Sequence, residues 1–463
     1  MFADLCLALG FLLTTATQLR IPGSPIGPGE LLLTFWLLIT IGRGLLVCDL
    51  ASNRALGQLL LFWLLFAASL CIGTIVAIAT DEALDLQWFL HDAMAYPLVG
   101  MMVCLTVAGR NAQAHLDRVA WLFATLGSSS LALLVAAGQG QVPLTFDPWF
   151  WERFRGWSQN PNQLSELCAA LTLVSLHLFD TSRRLHSRVA ALLCMSVSLY
   201  TGVLTQSDTF RYAVFVAIPL FIVLGLRARL NIGWSASFAL VIMACALSAY
   251  TLIVPLPLPS VGIHGPDISA ILSKEGGKTA SHEAALRESL WGQALHRGFF
   301  DSWMLGLGPG PHLMIPPEIV AAHANSTGLD APGNTVHPKA DGTANFEAHN
   351  TLLDLFTQGG LLAIGSFLWL LATAFRRAFT CERPGLIALL AGFCVFIVTG
   401  NIIRMPTLWF GLALCLVAER QPVLRPLSGR HSSLNWNFPR NSFIVHVGAT
   451  PSWACDRVAV RRS

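Results

Sequence analysis

The chain contains a series of apolar runs, each about twenty residues long, joined mostly by short polar connections. A helix needs roughly 17–25 mostly apolar residues to cross the hydrocarbon core of a bilayer. Apolar residues make up 54% of the 463 positions and charged residues only 12%, which is too little charge to cover a soluble protein of this length. The sequence therefore predicts an all-α integral membrane protein. The runs lie near 2–18, 30–48, 57–79, 88–108, 118–138, 162–179, 188–205, 212–226, 235–254, 350–374, 385–400 and 406–419.

These runs predict about twelve transmembrane helices, with one large loop, residues 255–348, between helices 9 and 10. Alternate connections and the tail carry most of the arginines, whereas the opposite connections are poorer in basic residues and include the acidic TDEALDLQ at 80–87. Because cytoplasmic loops carry the excess of Lys and Arg, we expect both termini in the cytoplasm and the large loop on the outer side. The run at 2–18 has no basic residue before it, so we interpret it as a membrane helix and not as a signal peptide.

Composition also argues against several classes of partner and cofactor. The net charge of +3 is too small to indicate nucleic-acid binding. The eleven cysteines fall in apolar runs or basic segments, with no CxxC pair, so we predict neither a disulfide nor a zinc site. The loop histidines His312, His323 and His337 match no metal-binding spacing. The sequence predicts no metal and no other cofactor.

Local patterns give the large loop some structure of its own. ASHEAALRESLWGQALH at 280–296 has apolar residues at helical spacing, which predicts a short amphipathic helix on the membrane surface. GLGPGP at 306–311 predicts a tight turn, and we favour that over a phosphate-binding loop because no strand precedes it. The aromatic residues at 149–157 indicate an interfacial belt in preference to a sugar-stacking platform.

Several charged residues fall on the predicted outer side, near points where helices enter the bilayer. Arg211 lies in a very short turn between two apolar runs, Arg404 lies in another, and Arg287 lies on the amphipathic loop helix. Guanidinium groups bind phosphate oxygens in pairs and stay charged at any relevant pH, so arginines collected on one side indicate a lipid-linked diphosphate. The alternative is that each arginine anchors its helix to lipid headgroups, which we favour for Arg153 and Arg155 taken singly.

His349 is the candidate acid–base group. It opens the apolar run HNTLLDLFTQGG, and Asn350 and Asp354 lie one turn apart on the same predicted face. Its unperturbed pKa of about 6.5 would leave much of the imidazole neutral at pH 7, as a general base requires. A lone histidine is more often structural, and Glu347 is an alternative base two residues away.

Three stretches, in this order, resemble the O-antigen ligase and O-antigen polymerase superfamily of bacterial envelope glycosyltransferases. The first is SDTFRYA with Arg211, where related proteins often have Ser-Arg. The second is RESLWGQALHRGFFDSWMLGLGPG from Arg287 to Gly310, and the third is HNTLLDLFTQGGLLAIG from His349 to Gly365. A weaker match is GWSQNPNQLSEL at 156–167.

The resemblance implies an inverting, metal-independent transferase of the bacterial inner membrane. Its donor would be a glycan linked to undecaprenyl diphosphate, and its acceptor lipid A–core in a ligase or a growing polysaccharide in a polymerase. His349, Arg211 and Arg287 would be catalytic. Further substrate contacts would come from Arg153, Arg155, Asn350, Asp354 and Arg404.

In this interpretation the chain divides into 1–155, N-terminal transmembrane helices; 156–370, a ligase/polymerase-like core that includes the periplasmic loop 255–348; 371–419, the last two transmembrane helices; and 420–463, a basic cytoplasmic tail. A transporter or flippase of lipid-linked saccharides remains the main alternative, and a non-catalytic assembly subunit is a third. Carriers usually have related halves and helices broken at mid-membrane.

Overall fold

The structure is a computed structural model, which describes residues 1–21, 26–47, 52–80, 86–143, 145–150, 152–230, 277–315, 344 and 346–419. It is built almost entirely of helices. In chain order they are α1 (Phe2–Leu13), α2 (Pro28–Val47), α3 (Arg54–Ala79), α4 (Leu86–Val107), α5 (Ala112–Gly138), α6 (Pro161–Thr181), α7 (Leu185–Leu204), α8 (Asp208–Leu230), α9 (Gly277–His296), α10 (Thr351–Thr380), α11 (Pro384–Thr399) and α12 (Pro406–Val417).

Each predicted apolar run coincides with a helix, except for the run at 235–254, which lies outside the described residues. In the described part of the chain, 7 helices are long and apolar enough to cross a membrane, namely α3 to α8 and α10. Helices α1, α11 and α12 are apolar but shorter. The prediction of an all-α membrane protein is confirmed at this level, and the count of about twelve spans stays a prediction.

Burial separates central helices from peripheral ones. In α6 83% of the most apolar window is buried inside the protein, against 28% in α8, so α6 lies in the middle of the bundle and α8 turns most of its surface outward. Small residues allow close approach between neighbours: Gly392 of α11 faces Ala213 and Ala217 of α8. Aromatic rings fill other contacts, such as Phe11 against Phe410 with centroids 4.9 Å apart.

The aromatic segment before α6 folds into a short hairpin, which the sequence did not predict. Strands β1 (Trp149–Phe150) and β2 (Arg153–Phe154) pair antiparallel. The ring of Phe154 is fully buried, and Trp149 donates its indole N–H to the carbonyl of Gly138 at 2.8 Å. Part of this aromatic surface therefore packs onto the bundle itself.

Connections meet at one end of the bundle, here called the loop end, which contains residues 145–160, 205–208, 346–350 and 400–405. Hydrogen bonds join them: Arg153 Nε donates to the carbonyl of Thr205 at 3.0 Å, and the Thr351 hydroxyl donates to the carbonyl of Gly400 at 2.7 Å. The opposite end has ion pairs of its own, such as that between Arg118 and Asp4 at 2.8 Å. All the candidate site residues that the sequence predicts lie on segments of the loop end, in the first turn of the adjoining α8 or α10, or on α9.

Candidate active site

His349 directly precedes the N-cap of α10. Asn350 is the cap, and its Oδ1 accepts from the backbone amides of Leu352 and Leu353 at 3.0 and 3.2 Å. His349 has a φ of 51°, in the left-handed region, which for a non-glycine residue costs about 1–3 kcal/mol. The ring packs edge-on against Phe346, with centroids 5.1 Å apart, and the residue stays exposed. The backbone therefore presents the imidazole to solvent beside the start of α10.

Asp354 fixes the backbone that leads to His349. Its Oδ1 accepts from the backbone amide of Ala348 at 2.7 Å, and the residue is only 3% exposed. Asn350 and Asp354, which the resemblance implied as substrate contacts, thus both stabilise the turn that carries His349. Contact with a substrate remains a prediction for them.

Helix α9 packs across this turn. The Trp291 indole donates to the carbonyl of Ala348 at 3.0 Å, and Leu290 shares a small buried cluster with Leu313 and Ala348. Leu313 in turn pairs with Phe346 through backbone hydrogen bonds of 3.1 and 2.9 Å. The predicted loop helix is therefore present, and its apolar face covers residues 346–348.

The position of α9 brings Arg287 into the neighbourhood of His349. Arg287 lies one turn before Trp291 and is half-buried. Surrounding protein atoms lower the pKa of His349 below its ordinary value; the charge of Glu347 raises it and that of Arg287 lowers it. The imidazole is therefore neutral near pH 7, the form that accepts a proton.

Arg404, another predicted substrate contact, is held by two carboxylates. Its Nη1 donates to Asp92 of α4 and its Nη2 to Glu347, and its side chain is 18% exposed. Burial alone would lower the pKa of Arg404, but the charges of Glu347 and Asp92 raise it above its ordinary value. His91 adds a contact of 3.0 Å to the same Asp92 oxygen.

A kink in α10 receives the glycine turn of the loop. Gly360 has φ 62° and ψ −156°, which interrupts the helix. Carbonyl groups near the break accept from loop amides instead: Thr357 from Leu307 at 2.7 Å and Gln358 from Gly308 at 2.8 Å. These hydrogen bonds therefore join the Gly-x-Gly turn to the His-Asn…Gly-Gly motif, although the two are widely separated in sequence. This contact between residues 306–308 and 357–360 is called the glycine joint below.

Gly73 of α3 allows this joint to pack closely. A Cβ on Gly73 would come within 2.5 Å of both the Gln358 carbonyl oxygen and the Gly308 amide nitrogen. The joint therefore fixes α3, the loop and α10 to one another, nine residues into the helix that His349 precedes.

The remaining predicted arginines have protein partners of their own. Arg211 lies in the first turn of α8, not in the connection before it, and its Nη1 is 3.3 Å from Asp208 Oδ1. Arg153 donates to the Thr205 carbonyl and, at 2.8 Å, to Asn162 Oδ1. Arg155 donates to the Asp147 carbonyl at 3.1 Å and stacks over Phe150, 5.5 Å from its ring centroid. Arg153 and Arg155 thus hold the hairpin in place.

Three buried polar residues escaped prediction. Asp92 and Tyr96 lie one turn apart on α4, and Gln358 lies one turn after the predicted Asp354 on α10. The Tyr96 hydroxyl donates to Gln358 Oε1 at 2.6 Å. An ionisable residue inside an apolar run was the available signal for Asp92, because such residues are costly in a bilayer unless paired. Its partner could not be read from the sequence.

This structure defines a helical membrane protein with a polar site at one end. The family model described as O-antigen ligase matches residues 190–368, a range that includes Arg211, Arg287, His349 and the glycine joint. The resemblance to the O-antigen ligase and polymerase superfamily is therefore confirmed for this segment, and GWSQNPNQLSEL lies outside it. Neither the curated proteins nor the solved structures gave a match to the chain.

Proposed function

We propose that the chain transfers a glycan from undecaprenyl diphosphate to an acceptor hydroxyl, either on lipid A–core or on a growing polysaccharide. The family match supports an enzyme of ligase or polymerase type at a coarse level. We also propose that residues 156–370 form the ligase/polymerase-like core, that the protein lies in the inner membrane and that both termini are cytoplasmic.

One observation carries the proposal: an exposed, neutral imidazole lies under a helix that supplies an arginine. His349 is presented by a left-handed turn, and Arg287 on α9 lies close enough for its charge to lower the pKa of that histidine. A base for the acceptor and a cation for the leaving diphosphate are the two groups that transfer without a metal requires.

In the proposed reaction, the acceptor oxygen attacks the anomeric carbon from the side opposite the diphosphate. A new carbon–oxygen bond forms as the bond to the diphosphate oxygen breaks, so the configuration inverts. His349 takes the hydroxyl proton, and undecaprenyl diphosphate leaves with the bonding electron pair. Arg287, and Arg211 if the diphosphate extends to α8, would stabilise the charge that develops on the leaving group.

The break in α10 favours a carrier, because broken helices mark the binding sites of many transporters. Gly360 lies nine residues into a helix of 30, about 14 Å from its start. The carbonyls of Thr357 and Gln358 beside the break already accept from loop amides, however, so the break serves to attach the loop. We therefore favour the enzyme over the carrier.

The deciding experiment is analysis of surface polysaccharide in a deletion strain complemented with wild-type chain. Loss of long chains with single repeats still attached to their acceptor would identify a polymerase. Accumulation of lipid-linked polymer on the outer side, without attachment, would identify a ligase. Accumulation of lipid-linked glycan on the cytoplasmic side would contradict the proposal and favour the carrier.

A further inference from the structure

Arg404 differs from Arg287 in how its charge is used. Both nitrogen ends of its guanidinium carry carboxylates, Asp92 on one and Glu347 on the other. Two carboxylates around one guanidinium already exceed its charge, so the local field favours a cation more than a diphosphate. Asp92 has no exposed surface at all, which makes it a fixed anchor and not a mobile counter-ion.

The same contacts fasten the short segment that carries His349. Glu347, on one side of the histidine, is tied through Arg404 to α4. Thr351, on the other side, donates to the Gly400 carbonyl at 2.7 Å and accepts from the Ile402 amide at 3.0 Å. Residues 400–404 therefore hold both flanks of His349, which is the kind of restraint that a left-handed, non-glycine residue needs in order to persist.

We propose that Asp92 and Arg404 are positioning residues, which hold Glu347 beside His349, and that Arg404 does not bind the diphosphate. The proposal rests on the proposed function in one respect, namely that His349 is the base. It changes the role that the family resemblance implied for Arg404, and it adds Asp92, which no sequence motif singled out.

Arg404 also controls how strongly Glu347 acts on His349. Glu347 and Arg287 act on the histidine directly. The other charged or titratable groups around Glu347 are Arg404, Asp92 and His91 on α4, and Asp354 on α10. Removing the guanidinium would leave the Glu347 carboxylate uncompensated and raise the pKa of His349, whereas removing the carboxylate would lower it.

The test measures the titration of His349 without any substrate. Diethyl pyrocarbonate modifies imidazole only in its neutral form. The rate of modification of His349 is measured as a function of pH, by peptide mass spectrometry on protein in nanodiscs. The pH at which this rate is half its maximum is the titration midpoint of His349. Arg404→Gln should raise the midpoint and Glu347→Gln should lower it, each by about 1 pH unit. Exposed His296 in the same samples is the internal control, and its rate of modification should be the same in all of these proteins. Midpoints that do not move in either variant would overturn the proposal.

A second measurement uses undecaprenyl diphosphate itself as the probe. Arg404→Lys keeps the charge and is the safer variant for folding; it should bind undecaprenyl diphosphate within about twofold of wild type. Arg287→Lys should bind it on the order of tenfold more weakly, because lysine lacks the planar fork. Equal weakening by both variants would overturn the positioning role of Arg404. If neither variant weakens binding, Arg287 does not bind the diphosphate and the proposed donor site is wrong. The positioning role of Arg404 is then tested by the titration of His349 alone.

Discussion

The hairpin arginines and Arg287 use the same side chain for different purposes. Arg153 and Arg155 donate to backbone carbonyls and a side-chain amide around the hairpin, so they hold a connection in shape. Arg287 lies on a helix that packs over an exposed histidine, and its charge reaches that histidine.

An arginine near a helix end is therefore evidence of a ligand site only when its protein partners are known. In the sequence, all of these arginines fall on the predicted outer side, so position alone does not separate them. The structure separates them by what they contact. Four substitutions follow in order of decreasing effect, and two of them, at Arg287 and Arg153, test this separation directly.

Replacing His349 with alanine should remove the base and reduce the rate of glycan transfer by about 10²–10⁴. Binding of undecaprenyl diphosphate should change little, because the base acts on the acceptor. The rate would be followed by polysaccharide ladders with the amount of protein in the membrane held equal. The control is His296→Ala, which replaces an exposed histidine at the end of α9 and should leave transfer normal. A His349→Ala ladder like that of wild type would remove the active-site assignment.

Replacing Arg287 with lysine should reduce transfer about 10–100-fold, because it keeps the charge but loses paired hydrogen bonds worth about 1.5–3 kcal/mol. The matched control is Arg188→Lys, on the opposite end of the bundle, where the side chain donates to the Ser182 carbonyl. Equal ladders for the two variants would show that Arg287 resembles the hairpin arginines and not a substrate ligand.

Replacing Gly360 with alanine should destabilise the protein by about 1–3 kcal/mol, since the added Cβ would meet the Met304 carbonyl in a left-handed backbone conformation. Thermal unfolding in detergent would measure the change. Gly365→Ala, in the same helix with open space around the added carbon, is the control and should unfold at or slightly above the wild-type temperature. A normal melting temperature for Gly360→Ala would mean that the joint is not as tight as its contacts indicate.

Replacing Arg153 with lysine should lower stability by about 1 kcal/mol while leaving most transfer activity, because its two donors serve the hairpin. The measurement is the melting temperature alongside the ladder. Loss of transfer at unchanged stability would move Arg153 from the structural group to the substrate-binding group.

A pH profile of transfer would complement these substitutions. His349 must be neutral to act, and its pKa lies below the ordinary value of 6.5, so activity should hold as the pH falls to 6.5 and decline only below it. The lowered pKa of His349 also affects the stability of the fold. The unfolded chain binds the proton more tightly than the folded chain, so this histidine reduces the free energy of unfolding as the pH falls below 6.5.

Much of the fold could be predicted because a bilayer imposes a length and a composition on each helix. Every described apolar run became a helix, and the amphipathic pattern at 280–296 became α9. The hairpin at 149–154 was missed, since aromatic residues at the interface and aromatic residues buried against a bundle give the same local signal. His349 and Arg287 could be identified from motifs, whereas the partners of Arg404 could not.

The class of protein, the positions of the helices and the residues able to carry a proton or bind a phosphate follow from the amino-acid sequence. These depend on hydrophobicity and side-chain chemistry, which are local properties. The meeting of Asp92, Glu347 and Arg404, and the entry of the glycine turn into the kink of α10, are visible only in the folded protein. Such contacts join residues far apart in the chain, and they depend on how whole helices pack, which a pattern along one stretch of sequence does not contain.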